Sequence, residues 1–343
     1  MEHKWLLENF NYAKNLIDEK NLPNCLIITD GRQGIRNQAI GLAAALKNIQ
    51  PLIYSEAKIK NSKFFHKLNT RLQYSLIKLF NIYRAEGKNI DIAIGCGRQA
   101  IAPLIDLKEK NPNIFTIYVQ DPKYKNNNFD LVIAPEHDAL KGENVISMIG
   151  SPNRITKKLL KKESQKFLKK INDFPPPRAT ICIGGNSKHH KLSKENHCDH
   201  IETAKDLIKQ GFSVFITTSR RTPSWVIKEY KELSYSHKSV WGYFGEGDNP
   251  YYAFLEKSDI ILVSEDSTNM LTEAASVGKR VFSLPISGGT KKFKELKKVL
   301  KNRYNISYFK GEIDIDNCEP LIETHLVAAE ILLRYDEYLS RNK

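Results

Sequence analysis

Residues 260–285 read IILVSEDSTNMLTEAASVGKRVFSLP. The run 260–264 is apolar and rich in branched residues, with no polar alternation. That is the pattern of a strand buried on both faces of a parallel sheet. Glu265, Asp266, Ser267 and Thr268 follow, with Ser267 or Asp266 placed to cap a helix over 268–277. Gly278 ends that helix, and 281–284 is a second strand. Strand, capped helix and strand make one right-handed crossover unit.

The same alternation extends outward in both directions. Before it, strands are predicted at 180–183 and 213–217, with helices at 194–209, 223–233 and 250–257. In the N-terminal half, strands are predicted at 25–29, 52–54, 91–95, 114–119 and 131–134, with a helix at 37–46. Between the series lies NDFPPPR, 172–178, whose three consecutive prolines favour an extended linker. The expected fold is therefore α/β, with two doubly wound domains facing a central cleft. The predicted boundaries are an N-terminal domain over 1–171, a proline hinge over 172–178 and a C-terminal domain over 179–310. Residues 311–343 carry an amphipathic helix, predicted at 321–339, that packs back on the N-terminal domain.

Length and composition agree with that division. The chain has 343 residues, 41% hydrophobic and 27% charged, enough for two cores and unlike a disordered tail or fibrous repeat. Five scattered cysteines, none in a CxxC pair, argue against a disulfide framework and for a reducing compartment. No apolar run approaches the roughly 20 residues of a membrane helix, and the first residues lack a signal-peptide stretch. A cytoplasmic protein is expected. Lys and Arg outnumber Asp and Glu by 53 to 39, a net charge of +14. Such an excess fits a polyanionic partner, and equally the Lys, Asn and Ile bias of AT-rich coding. The lysines concentrate in 157–170 and 291–303, both amphipathic in pattern. The first, with Phe64, Phe65, Leu72 and Tyr74, is a candidate for peripheral docking on the inner face of an anionic membrane. No helix-turn-helix, zinc-finger or RNP signature is present, so a nucleic-acid partner is not expected.

Ligands of doubly wound sheets sit at the carboxyl ends of strands, so the strand-end loops hold the candidate site residues. In the C-terminal half, the helix N-terminus at Asp266, Ser267 and Thr268 suits a phosphate, and Glu273 suits the hydroxyls of a ribose. A capped surface helix with an exposed glutamate would give the same pattern. Gly184, Gly185 and Asn186 follow a strand and permit close backbone approach to a diphosphate, or make a simple tight turn. Ser219 and one of the two arginines, Arg220 or Arg221, lie at another strand end. Asn249, in GEGDNPY, is placed to meet a base or sugar or to form a turn. In the N-terminal half, Asp30 and His137 are the candidate catalytic bases. Gly31, Gln33, Asn37, Gln38, Arg98 and Asp121 are candidates for acceptor binding. Asp314-Ile315-Asp316 imitates a metal-binding DxD, and His189, His190, His197 and His200 imitate metal ligands. Their context and irregular spacing predict no metal.

Taken together, DGRQGIRNQAIGLA, GCGRQA, QDP, FDLVIAPEHD, GSPNRIT, IGGNSKHH, TTSRRTP, GDNPYYAFLEKSD and SEDSTNMLTEAASVGK resemble the elongated-mitochondria, or mitochondrial fission protein, family. The resemblance covers roughly residues 25–300 and falls in the family's bacterial branch. That family is similar to glycosyltransferases with two Rossmann-like domains, the GT-B type. The resemblance implies a C-terminal domain that binds a nucleotide-sugar as co-substrate, with no further cofactor, and an N-terminal domain that binds the acceptor. The expected function is a metal-independent transfer of sugar to a glycan or lipid-linked acceptor at the membrane or cell envelope. The alternative is a non-catalytic membrane-surface adaptor on the same fold.

Overall fold

In a computed structural model the described residues are 22–59, 65, 67–80, 89–124, 126–311, 313 and 318–342. Phe64 and Asp314-Ile315-Asp316 lie outside the described residues. The first series of elements comprises β1 (Asn24–Thr29), α1 (Gln33–Ile49), β2 (Ile53–Lys58), α2 (Thr70–Phe80), β3 (Ile92–Cys96), α3 (Ile101–Lys110), β4 (Phe115–Val119), β5 (Leu131–Pro135) and β6 (Val145–Met148). The strands form a six-stranded parallel sheet in the order β2-β1-β3-β4-β5-β6. Every residue of β3 and β4 is buried. Alternate side chains serve opposite faces: Ile92, Ile94 and Cys96 join one core with α1, and Ala93 joins the other with α3. Two covered faces explain why the sequence shows continuous apolar runs there.

The second series comprises α4 (Lys157–Gln165), α5 (Leu168–Ile171), β7 (Arg178–Ile183), β8 (His190–Lys191), α6 (Lys194–Lys209), β9 (Ser213–Thr218), α7 (Ser224–Ser236), β10 (Val240–Tyr243), α8 (Tyr251–Lys257), β11 (Ile260–Ser264), α9 (Thr268–Ala275), β12 (Arg280–Leu284), β13 (Ser287–Gly288), α10 (Lys291–Tyr304) and β14 (Ser307–Tyr308). Its sheet is parallel in the order β10-β9-β7-β11-β12-β14, and β8 and β13 make a short antiparallel pair. The chain closes with α11 (Glu323–Arg341).

The chain divides into two compact units, residues 1–154 with 322–343, and residues 155–321. That boundary differs from the predicted 171 and 310. Residues 172–178 are part of the second unit, not a hinge. Phe174 stacks on Trp241 at 5.8 Å and meets Phe215 edge-on at 5.7 Å, while Arg178 already opens β7. The lysine-rich stretch 157–170 is two helices whose apolar side faces this same core. Leu160 and Ile171 are buried, and Lys170 lies over the Trp241 ring. Its lysines cover an internal packing face's outer side, as ordinary amphipathic surface helices do. In the first unit, Leu72, Leu79 and Phe80 of α2 are exposed, while Tyr74 donates from its hydroxyl to Glu109. Among the described residues no helix is long and apolar enough to cross a membrane.

The last helix belongs to the first unit. Val327, Ala328, Ile331, Leu332 and Tyr335 form a stripe at helical spacing that is buried in the core of the first sheet. Lys108 ties it down: its ammonium bonds Asp130 at 3.0 Å, the Ile114 carbonyl at 2.8 Å and the Tyr338 hydroxyl at 3.1 Å.

Gly41, in the middle of α1, shows which constraint sets helix packing here. A Cβ at that position would lie 2.5 Å from the backbone of Asn153. Alanine ordinarily stabilises a helix interior by about 1 kcal/mol over glycine. Contact with a backbone that cannot give way outweighs that gain, because overpacking costs about 1–3 kcal/mol. Gly41→Ala is therefore expected to lower the unfolding free energy in urea titrations, and a stabilised variant would contradict the packing described.

Candidate functional site

In each sheet the strand order reverses at one place, and there the loops of neighbouring strands leave in opposite directions to open a crevice. In the second sheet this switch point lies between β7 and β11. The loops concerned are Gly184–Ser187 after β7 and Glu265–Ser267 after β11, with the β9 loop, Ser219–Thr222, alongside.

Asp266 joins these three loops. Its side chain is fully buried, and one oxygen accepts from the Gly185 amide at 2.9 Å and from Arg221 Nη2 at 2.7 Å. The other accepts from the Ser264 hydroxyl at 2.8 Å, and Ser264 Oγ in turn accepts from the Gly184 amide at 2.6 Å. Thr222 donates to the Gly184 carbonyl, and Ser219 N donates to Thr222 Oγ1 at 2.9 Å. The two glycines follow from this crowding. A Cβ on Gly184 would stand 2.0 Å from Asp266 Oδ1, and one on Gly185 would stand 2.1 Å from the Arg221 carbonyl oxygen.

This geometry corrects several expectations. The Gly184 and Gly185 amides are engaged by Ser264 and Asp266, so they do not point outward as a ready diphosphate cradle. Asn186 is a turn residue, whose Oδ1 accepts from Leu192 N at 2.9 Å. Of the two arginines Arg221, not Arg220, enters the cluster; neighbouring loop residues face different ways, and only Arg221 meets a carboxylate. Ser267, not Asp266, caps α9, accepting from Met270 N at 3.4 Å. Thr268 opens that helix and is half-buried.

Glu273 is buried, not exposed, one and a half turns into α9. It accepts from the Tyr251 hydroxyl at 2.8 Å. Burial first, and then the charge of Glu273, push the Tyr251 phenol well above its ordinary pKa. Burial pushes the Cys182 thiol up as well, with a smaller contribution from the charge of Glu273. Asn249 Oδ1 accepts from Tyr251 N at 3.0 Å and so sets the start of α8. Tyr251, Ser264 and Thr222 were not legible as site residues. The signal for Tyr251 was only its place just after the GDNP turn.

In the first sheet the switch point lies between β1 and β3. Asp30 follows β1, and Arg32 engages both of its oxygens, the Arg32 amide at 3.1 Å and Nε at 2.9 Å. Gly31 adopts φ +76, a value that side chains resist. Gln33 and Asn37 pair at 2.7 Å on the first turns of α1, which starts four residues earlier than predicted. Gln38 is buried and receives the Gln120 amide at 3.1 Å. Asp30 and Asp121 both lie near enough to the Tyr118 phenol to raise its pKa, after the larger effect of burial. Asp121 also accepts from Lys123 N at 2.8 Å, a turn contact. Arg98 donates to the Leu68 carbonyl at 2.7 Å. His137 sits in a single 3-10 turn after β5, on a different strand end from Asp30.

The histidines go to separate partners. His197 donates to Glu229 at 2.8 Å, and His200 donates to the Pro285 carbonyl at 2.7 Å. Among the described residues no group of three or more His, Cys, Asp or Glu is disposed to hold a metal ion.

Two six-stranded parallel sheets with helices on their faces define a glycosyltransferase-like fold of two Rossmann-like domains, the GT-B type. Solved structures share it. UDP-GlcNAc 2-epimerase from Methanocaldococcus jannaschii matches with a TM-score of 0.54 at 12% identity, over 92% of this chain and 100% of that one. The S. aureus MnaA–UDP co-structure matches with a TM-score of 0.51 at 12% identity, over 93% and 97%. The chain belongs to the Mitochondrial fission ELM1 family, whose sequence profile matches residues 33–335. The Mitochondrial fission protein ELM1 of Arabidopsis thaliana is 26% identical over 268 residues, spanning 70% of this chain and 62% of that protein.

Two outcomes test the site's architecture. Asp266→Ala strands the Gly185 amide and the Ser264 hydroxyl, and should lower the unfolding free energy by about 2–3 kcal/mol in a urea titration. Burial holds the imidazoles of His190, His200 and His325 below their usual range. The unfolded chain therefore binds more protons below about pH 6.5. Stability should be level above that pH and fall as pH drops below it, read as a decreasing urea midpoint.

Proposed function

We propose that the chain is a nucleotide-sugar-dependent glycosyltransferase acting on a glycan or lipid-linked acceptor at a membrane or the cell envelope. The observation that carries this reading is the buried Glu273 on α9, the helix that follows β11 at the β7–β11 switch point, held by the Tyr251 hydroxyl. A carboxylate there accepts from both hydroxyls of a ribose, and the start of α9 at Ser267 and Thr268 faces the attached diphosphate. The bound UDP of the MnaA co-structure supports the same ligand class.

In this reading the acceptor oxygen forms a bond to the anomeric carbon. The bond from that carbon to the diphosphate breaks, and its electron pair leaves with the phosphate. Arg221 and the α9 N-terminus stabilise the departing charge without a metal. The acceptor proton passes to Asp30, or to His137 if Asp30 does not serve. Asp30 is the better placed, heading a positive-φ glycine turn at a switch point. Its pairing with Arg32 keeps it oriented and must yield to the incoming hydroxyl. Gln38, Gln33, Asn37, Arg98 and Asp121 bind the acceptor in this scheme. The protein would work in the cytoplasm, peripherally on the inner face of the membrane.

One observation favours the second reading, a non-catalytic adaptor. The amides of Gly184 and Gly185 are held by the protein's own Ser264 and Asp266. A phosphate could use them only by displacing those partners.

Isothermal titration with UDP and UDP-GlcNAc separates the two. Glycosyltransfer expects binding that Glu273→Ala weakens by about 1–3 kcal/mol; absence of binding to any nucleotide or nucleotide-sugar sustains the adaptor. Once turnover is measurable, Asp30→Asn should reduce it by at least about 10²-fold with nucleotide affinity nearly unchanged. Wild-type turnover in that variant moves the base to His137.

A further inference from the structure

The second unit carries a pocket that the nucleotide reading does not use. It encloses about 650 Å³ between α10 and the β12–β14 edge of the sheet, a volume suited to a small metabolite. Phe282, Ile306 and Ile313 give it an apolar floor. Its polar lining holds five cations, Arg280, Lys297, Lys298, Lys301 and Lys310, against one carboxylate, Glu265. The pocket shares no residue with the Asp266 and Glu273 constellation, although Glu265 is next to Asp266 in the chain.

The charges differ in exposure. In the lining, half-buried Lys297 bonds Glu265 at 2.9 Å and the Tyr308 hydroxyl at 3.2 Å. Burial draws the Lys297 ammonium down, but these bonds outweigh it and leave its pKa raised. Arg280 spends its terminal N–H groups on neutral acceptors, the Asn305 carbonyl and Ser307 Oγ, the latter at 3.1 Å. Its charge thus meets no carboxylate among the described residues. Lys298, Lys301 and Lys310 also line the pocket and are exposed. Such a concentration of like charge in a concave site attracts anions and is relieved by binding one. Two buried atoms at the wall also lack partners among the described residues: Glu265 Oε1, an acceptor, and Arg280 Nε, a donor. Both side chains are more than nine-tenths buried. A half-satisfied buried carboxylate gains from a hydroxyl donor.

From the cationic lining, the apolar floor and the orphan acceptor together, we infer that this pocket binds a phosphate ester of a polyol. The phosphate meets Lys298, Lys301 and Lys310, and a ligand hydroxyl reaches Glu265. A free sugar phosphate and a phosphoinositide headgroup both present that chemistry.

The full chain is titrated with glucose 6-phosphate, inorganic phosphate and glucose. Glucose 6-phosphate should bind at least tenfold more tightly than either of the others. The Lys298→Glu/Lys301→Glu variant should weaken it at least tenfold, and Glu265→Gln should remove most of its advantage over inorganic phosphate. Glu273→Ala should leave it unchanged while weakening UDP, so the failure of one site is distinguishable from failure of the other. Co-sedimentation with phosphatidylcholine vesicles, with and without phosphatidylinositol 4-phosphate, identifies the source. Binding that requires the phosphoinositide and is lost in the double-lysine variant supports the pocket with a lipid source. Binding to the free ester alone supports it with a soluble one. Should the variant not fold, acetylation of the wild type decides: glucose 6-phosphate should slow labelling of Lys298 and Lys301 at least threefold relative to Lys228. Equal labelling, or affinity within twofold in a folded Lys298→Glu/Lys301→Glu variant, overturns the inference.

Discussion

A carboxylate taken out of water draws donors toward it, and Asp266 is the one around which the strand ends of the second sheet are built. It takes donors from the β7 loop, the β9 loop and the end of β11 at once. Removing a charge from water costs least when its hydrogen-bonding capacity is filled, and at Asp266 the donors Gly185, Ser264 and Arg221 fill it. The consequences spread outward. Gly184 must lack a side chain because Asp266 occupies that space, and Arg221 must turn inward while Arg220 does not. Thr222 closes the β9 loop over the glycines. The next residue, Ser267, is thereby free to cap α9, and that helix carries Glu273 to the Tyr251 hydroxyl.

The arrangement divides labour between neighbouring acidic residues. Asp266 is structural, Glu273 accepts from the Tyr251 hydroxyl, and Glu265 pairs with Lys297 in the lining of the basic pocket. Three carboxylates within one short segment thus meet three environments, set by which strand-end loop each one faces. A glycine loop after a strand is often taken as a phosphate cradle, since its amides are close to any ligand there. In this protein the glycines make room for a side chain instead, and their amides go to Ser264 and Asp266.

In the first unit the organising contact is made by the end of the chain. The stripe from Val327 to Tyr335 completes the face of the first sheet that α1 leaves open, and Lys108 pins it through Tyr338. The unit is therefore discontinuous in sequence, and the chain passes into the second unit at residue 155, well before the prolines. Phe174, just before those prolines, packs on Phe215 and Trp241, and the Pro175 carbonyl accepts from the Ser213 hydroxyl at 2.7 Å. Proline forbids a helix there, but it does not by itself make a hinge.

Much of the architecture was legible in the sequence because buried parallel strands are short, apolar and β-branched, and such runs stand out wherever they occur. Strands β1, β3, β4, β5, β7, β9, β11 and β12 are of that kind. The short edge strands β6, β10 and β14, and the two-residue pair β8 and β13, were not foreseen. An edge strand with few buried residues has no distinct periodicity. The candidate loops were legible as strand ends, so Asp30, Asp266 and Glu273 were identifiable as residues of interest. Their roles were not. Whether Asp266 faces solvent or the amide of Gly185, and whether Lys157–Lys170 covers a core or stands free, depends on which distant segment lies opposite. Local pattern encodes burial and secondary structure because both depend on a residue's nearest neighbours in the chain. Partner choice among hydrogen-bonding and charged groups is decided by contacts between segments 45 to 171 positions apart, and only the tertiary structure brings those together.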